Sequence, residues 1–468
     1  MAAKLSNMIA GSPSSRRRDR ISGLPHEVLG HILSYLPNDE AGRAAVLGRR
    51  GDLLDGINAA LLCRRRFAGG HVPLRTFRFA FDDFKQHWDG FHVDQWLRYV
   101  LQHVGPELHL DLHFVIGPIC AGGNHSFAID GDTCSDSDGD DGPYVLPTRL
   151  FSCATLKTLS LAHCRLKLRH ADSVHLPTLE TLRLTSIHHD SGKSIHRLVL
   201  SCPCLADLTL EDVHHLKTLS ILHRQLRRFV LRCCHNAKTI HIDASVMVSL
   251  EYCGHMPFES LLNIHGSSPQ GIQSCTVDLC TPVSNNAEDH TAFRRFLWSF
   301  SASKRLHLYH GRMHTSCLTA ADGLPLFSRM TCLVLQGRVE SRGFVGAVHR
   351  ILEHTPNLEV LSLYMAEKEQ RQVKTISDDG QKDDHAIVAD PDEASFSTTC
   401  LRQRMREINM VHYNGNETQR TLARLLFRNA IVLERLCVVF ASEHFVVQTG
   451  LKKELESWAR AGSRRTFL

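Results

Sequence analysis

Histidine and cysteine are the residue types with the most chemical reach in this 468-residue chain, which carries 31 His and 16 Cys. At suitable spacing they bind zinc, and an imidazole or thiolate can act as base or nucleophile. The close pairs are His188-His189, His214-His215, Cys202-Pro203-Cys204 and Cys233-Cys234. Adjacent strand residues point to opposite faces, and neither cysteine pair has the two-residue gap of a zinc knuckle. No metal site is marked, and only ligands gathered from different parts of the chain would make one. Asp136, Asp138 and Asp140 imitate the start of a calcium loop. Its sixth position is Asp141 in place of Gly, however, and its twelfth is Pro147 in place of Glu. There is no G-x-x-x-x-G-K-[ST] phosphate loop and no G-x-S-x-G elbow, and Gly122-Gly123 precedes no helix. The residues therefore read as those of a non-catalytic chain without a cofactor.

The composition narrows the partners. A formal charge of +5 is small for this length and does not argue for nucleic acid. No early apolar run is long enough for a secretory signal or a membrane span. Sixteen cysteines without such a signal read as reduced, buried thiols of the cytoplasm or nucleus. Arg16-Arg17-Arg18-Asp19-Arg20 closes a basic N-terminal tail, 1–18, and serves as well for a nuclear address as for a solvated end.

What remains is binding, and the elements that would position it repeat. Leu156-x-x-Leu159-x-Leu161, Leu179-x-x-Leu182-x-Leu184, Leu205-x-x-Leu208-x-Leu210 and Leu226-x-x-Phe229-x-Leu231 share one form. Met330-x-x-Leu333-x-Leu335 and Leu358-x-x-Leu361-x-Leu363 share it further on. The steps between copies fit leucine-rich repeats of roughly 20–29 residues. Three places past the third Leu, where such repeats keep a small buried residue, stand Cys164 and Cys234, with Ile187 and Val213 in other copies. Upstream, Leu74 to Phe81 and Leu108 to Phe114 alternate like strands, with Val93, Trp96, Leu97, Val100 and Leu101 on one helical face between them. From 242 to 330 the pattern blurs. Strands are expected at 276–279 and 305–308, and a helix carrying Phe293, Phe296 and Leu297. The fold class is α/β: an irregular repeat solenoid over 72–366 built on a curved parallel sheet. Its exposed strand positions, such as Arg183, Thr209 and Ser362, would meet a target. Two acidic stretches, 130–142 and 367–397, read as a solvated loop and a disordered insertion.

The N-terminal part reads differently. Leu24, Val28, Leu29, Ile32, Leu33 and Leu36 fall on one helical face between Pro25 and Pro37. Asn38 then caps a second helix with Ala41, Ala44, Ala45, Val46 and Leu47 along it. Two such short helices cannot bury their faces on each other alone. Residues 19–50 resemble a plant F-box, whose helices dock on the Skp adaptor of a Skp–cullin–F-box ubiquitin ligase. The resemblance implies an adaptor-binding surface of Leu24, Pro25, Val28, Leu29, Ile32, Leu33, Leu36, Pro37 and Val46. It fades after Arg49-Arg50. The usual Trp-rich third helix is missing or replaced by residues 52–65, where Leu53, Leu54, Ile57, Ala60 and Leu61 have helical spacing.

Residues 400–458 resemble the FBD module, through Cys400-Leu401-Arg402, Arg406-Glu407-Ile408-Asn409, His412-Tyr413 and Gln419-Arg420-Thr421-Leu422-Ala423. The implied order is F-box (19–65), repeats (72–366) and FBD domain (398–468), the last a C-terminal α/β cap. Together these features imply the substrate receptor of a Skp–cullin–F-box ligase, linked to cullin through the adaptor and holding a target protein of unknown identity. The alternative is a repeat scaffold whose degenerate F-box no longer recruits the ligase.

Overall fold

The computed structural model describes helical residues within 54–61 and then residues 73–468, apart from short gaps and the longer stretches 116–141 and 366–395. The helix pair expected over 24–47, with every adaptor-facing position from Leu24 to Val46, lies outside the described residues. So do nearly all of the two acidic stretches.

Among the described residues, fourteen strands form one sheet. Its first half holds β1 (Leu74–Ala80), β2 (Val104–His113), β3 (Leu156–Ala162), β5 (Thr181–Thr185), β7 (Asp207–Glu211), β9 (Arg228–Arg232) and β11 (Ser249–Gly254). The second half holds β13 (Ser274–Leu279), β14 (Arg305–Tyr309), β15 (Cys332–Gly337), β16 (Val360–Met365), β17 (Glu407–Tyr413), β18 (Arg435–Phe440) and β19 (Arg464–Phe467). Every neighbouring pair is parallel. Strand follows strand in chain order, so each repeat contacts only its neighbours, as in a solenoid. The connections bring in helices α1 (Gln86–Gln102), α2 (Lys193–Leu200), α3 (Ala287–Trp298), α4 (Gly343–Glu353), α5 (Thr399–Gln403), α6 (Glu417–Asn429) and α7 (Phe445–Trp458).

Two small parallel sheets are built from the connections of the early and middle repeats. One pairs β4 (Arg165–Leu166) with β6 (His188–His189), and the other joins β8 (Thr218–Ile221), β10 (Thr239–Asp243) and β12 (Leu262–His265). Leu219, Ile221, Ile240 and Ile242 alternate with polar neighbours, and their inward side chains join the same core as the main sheet.

Strand register explains the leucines. One inner row runs Leu159, Leu182, Leu208, Phe229, Leu250, Cys275, Leu306, Leu333, Leu361, Ile408 and Leu436. A second, two residues on, runs Leu161, Leu184, Leu210, Leu231, Tyr252, Val277, Leu308, Leu335, Leu363, Met410 and Val438. All of these are buried. The blurred region from 242 to 330 keeps the same frame with other side chains: Met247, Leu250 and Tyr252; Ile272, Cys275 and Val277; Ser303, Leu306 and Leu308. The strand Ser249–Gly254 was not legible because its third position is Tyr252 and not Leu.

Turns at the strand exits repeat as well. His163, Ser186, Asp212 and Cys233 follow β3, β5, β7 and β9, with φ of 55°, 46°, 54° and 52°. This left-handed step turns the next residue inward, so Cys164, Ile187, Val213 and Cys234 are all buried. Residues 407–467 continue the same sheet, since β17 pairs directly with β16. The turn into α6 is made by Gly415, with φ of 73°. Asn416 caps α6 by accepting a hydrogen bond from the Gln419 N–H at 2.8 Å.

At the other end the helical residues near 54–61 close the first repeat. Leu54, Ile57 and Leu61 pack on the core. Trp96 in α1 donates its indole N–H to Asn58 Oδ1 at 2.7 Å. The segment read as a substitute third helix therefore has part of its apolar side committed to the solenoid. Among the described residues, no helix is long and apolar enough to cross a membrane.

Candidate functional site

The two inner rows leave three rows on the other side of the sheet. The middle one crosses all fourteen strands: Arg78, Asp111, Ser160, Arg183, Thr209, Val230, Glu251, Thr276, His307, Val334, Ser362, Asn409, Cys437 and Thr466. The three positions expected to face a target, Arg183, Thr209 and Ser362, fall in this one row. Arg183 is exposed and Thr209 half-buried. Ser362 is a correction: it is buried, and its hydroxyl accepts a hydrogen bond from Asn409 Nδ2 at 3.2 Å. A neighbouring strand's amide roofs the small serine, which alternation alone does not reveal.

Charge on this face is organised. At its centre Arg232 in β9 bridges Glu211 in β7 and Glu251 in β11: Nε donates to Glu251 Oε1 at 2.7 Å, and Nη1 lies 3.5 Å from Glu211 Oε1. Arg228 reaches Glu251 Oε2 at 3.6 Å. Further along, His307 stacks on Tyr309 with centroids 4.4 Å apart, and its Nε2 lies 3.1 Å from Gln336 Oε1. Burial holds the His307 imidazole below its ordinary value, so it meets a partner neutral. Near the first edge Arg78 Nε lies 2.6 Å from Asp111 Oδ2, and His113 Nε2 2.8 Å from Asp111 Oδ1. Burial pushes the Asp111 carboxyl up, but hydrogen bonds from His113 and Ser160 and the charges beside it leave it below its ordinary value.

Below the middle row, at the entrances of β13 to β18, an open groove of about 500 Å³ is lined by Gln273, Lys304, Arg305, Glu359, Glu407 and Arg435 among others. Arg435 Nη2 pairs with Glu407 Oε2 at 2.5 Å on its wall. The mixed charge and open shape of this groove suit recognition of a polypeptide surface better than chemistry on a small molecule.

A second cluster stands at the exits of β9 and β13, on either side of β11. One ligand-type atom from each of Cys233, His235 and Cys280 lies within 4.8 Å of the others. Motif spacing does not reveal it, because Cys280 lies in a separate repeat from Cys233 and His235. The signal that could have found it is register: Cys233 and Cys280 each stand at or one place past the end of an alternate strand.

Residues 136–264 match the family model described as FBD-associated F-box protein At5g56370, LRR repeats. No curated protein matches the chain. The matched stretch covers β3 to β12, and the repeats that carry the centre of the open face are therefore leucine-rich repeats similar to those of an F-box protein. In proteins of that kind such repeats serve protein interaction.

Proposed function

We propose that the chain is the substrate-recognition subunit of a Skp–cullin–F-box ubiquitin ligase. In this reading residues 19–50 hold the adaptor, the open sheet face holds a target protein, and the FBD-like C-terminal strands extend that face. The chain performs no chemistry itself. It raises the effective concentration of a target lysine beside a charged transfer enzyme. The observation that carries the reading is a continuous fourteen-strand sheet with ion pairs on its open face, in a chain whose repeats within 136–264 match an F-box protein's. Such a surface can wrap a partner over many side chains.

The test is co-purification of the full-length chain with Skp-type adaptor and cullin. The wild type should retain both. Leu29→Asp with Ile32→Asp should release both, because each would bury an unpaired carboxylate at the adaptor contact. Failure of the wild type to retain the adaptor at tens of micromolar would sink the ligase reading.

A second reading has its own support. Leu54, Ile57 and Leu61 pack on the solenoid core, and Asn58 binds Trp96. A segment so engaged offers an adaptor less apolar area than a free third helix does. A scaffold that has lost ligase recruitment fits this contact. It predicts target binding without adaptor, and adaptor binding restored by grafting a Trp-bearing third helix after Arg50.

A further inference from the structure

In a parallel sheet, strands two places apart are separated by roughly 9–10 Å. β9 and β13 stand so, with β11 between them. Yet the thiols of Cys233 and Cys280, which follow these strands, approach within 4.8 Å of each other and of a His235 ring nitrogen. Three features of the middle strand let them meet. β11 ends in Gly254, which brings no side chain. The Cys233 N–H donates to the Cys253 carbonyl at 2.6 Å and the Cys280 N–H to the Gly254 carbonyl at 2.9 Å, so both exits are tied to β11. Tyr252 turns its hydroxyl onto the His255 carbonyl at 2.6 Å and occupies the space a Cβ at Gly254 would need, 2.8 Å away.

We propose that Cys233, Cys280 and His235 form a zinc site that clips the ends of β9 and β13 together across β11. The donor set is two soft sulfurs and one imidazole, which suits tetrahedral Zn²⁺ and not the oxygen-seeking Ca²⁺ or Mg²⁺. The dimensions fit. Zinc bond lengths of about 2.3 Å to sulfur and about 2.0 Å to nitrogen place tetrahedral ligands roughly 3.5–3.8 Å apart. Cys280 Sγ already lies 3.9 Å from His235 Nε2 and 4.0 Å from Nδ1, near the required spacing, and a turn of the imidazole would aim one nitrogen at the ion. Both cysteines are buried and His235 is half-buried, so the site has a dry floor and one side open to solvent.

His255 completes the surroundings without joining the ligand set. Its exposed ring stacks on His235 with centroids 3.8 Å apart and planes 20° from parallel. Stacked rings cannot aim lone pairs at one ion, so His255 orients His235 while water takes the fourth position. The clip would stabilise the centre of the solenoid, because ligands from separate repeats come together only when those repeats are folded.

The test uses the full-length chain, purified under reductant, stripped by a chelator and titrated with Co²⁺ alone. One ion per chain should give a sulfur-to-cobalt charge-transfer band, and added Zn²⁺ should abolish it. Cys233→Ser and Cys280→Ser should each weaken binding by at least about 100-fold, more than the loss of an outer-shell group does. Cys234→Ser is the control, because that thiol points to the Leu210 carbonyl and should leave the band unchanged. His235→Ala should abolish tight binding, and His255→Ala should weaken it by no more than about tenfold. A second readout needs no variant: Zn²⁺ should protect Cys233 and Cys280 of the wild-type chain from alkylation and leave the half-buried Cys153 and Cys332 as reactive as before. Absence of the band in the wild type, its survival in the Cys233→Ser/Cys280→Ser double variant, unprotected cysteines, or a Cys233–Cys280 disulfide persisting under reductant would each overturn the proposal.

Discussion

Alternation along β7 gives a sharp test of how the sheet is stabilised. Leu208 and Leu210 are fully buried, while Asp207, Thr209 and Glu211 lie between and beside them on the open side. Leu208 meets Leu182 and Phe229 in its row, and Leu210 meets Leu184 and Leu231 in the next. Truncating either to Ala removes buried methyl groups and leaves a cavity that flanking strands, fixed by their own ladders, cannot collapse into. The cost should be about 2–5 kcal/mol for each. Thr209→Ala removes atoms from a half-buried site outside the core and should stay within about 0.5 kcal/mol. Because the strands stack in one dimension, the two leucine losses should be felt mainly by the flanking repeats. Urea unfolding of the full-length chain, followed by circular dichroism, reads these differences directly. A Thr209→Ala cost equal to its neighbours', or Leu208→Ala and Leu210→Ala both near neutral, would refute the assignment of the two faces.

Other outcomes follow from single contacts. Gly415→Ala should destabilise by about 1–3 kcal/mol, measured by thermal melting, since φ of 73° disfavours a side chain and the added Cβ would run into Leu451. Asn58→Ala should cost about 1–3 kcal/mol in the same assay by leaving the buried Trp96 indole N–H without its acceptor. Burial holds the imidazoles of His163, His188, His307 and His354 below the ordinary 6.5. As pH falls through that value the unfolded chain takes up protons first, so stability present above it is lost below it. The melting temperature should therefore drop from pH 7.5 to 5.5. Arg232→Ala leaves Glu211 and Glu251 without their shared cation, and because Arg232 is partly exposed the loss should stay under about 1 kcal/mol and shrink further with salt.

Much of the fold was legible because the repeat demands Leu where the core is deepest. The copies from Leu156 to Leu231 and from Met330 to Leu363 all became inner strands, as did the strands expected at 276–279 and 305–308 and the helix with Phe293, Phe296 and Leu297. Legibility failed where the core accepts other shapes. Tyr252 and Cys275 fill Leu positions, and β8, β10 and β12 are not marked by the repeat form. The Asn414-Gly415 turn follows local chemistry, with Gly415 in the left-handed region at φ of 73°. The open face was readable as a set of alternate positions, but not its ion pairs, because Arg232 meets Glu211 and Glu251 through register between chain segments. The roofing of Ser362 by Asn409 escaped for the same reason. The Cys233, His235 and Cys280 cluster escaped motif spacing, since Cys280 is brought to the other two by the strand stack and not by the chain.

The central claim is that one chain carries two separable binding surfaces. It is tested most directly by quantitative mass spectrometry of proteins retained by three full-length forms: the wild type, the Leu29→Asp/Ile32→Asp variant, and an open-face variant carrying Arg183→Glu, Glu251→Arg and His307→Glu. The helix variant should lose the Skp-type adaptor and cullin and keep the target. The open-face variant should do the reverse, with melting temperature and adaptor retention confirming that it is folded. Loss of the same proteins from both variants, or retention of every partner by the open-face variant, would contradict the account.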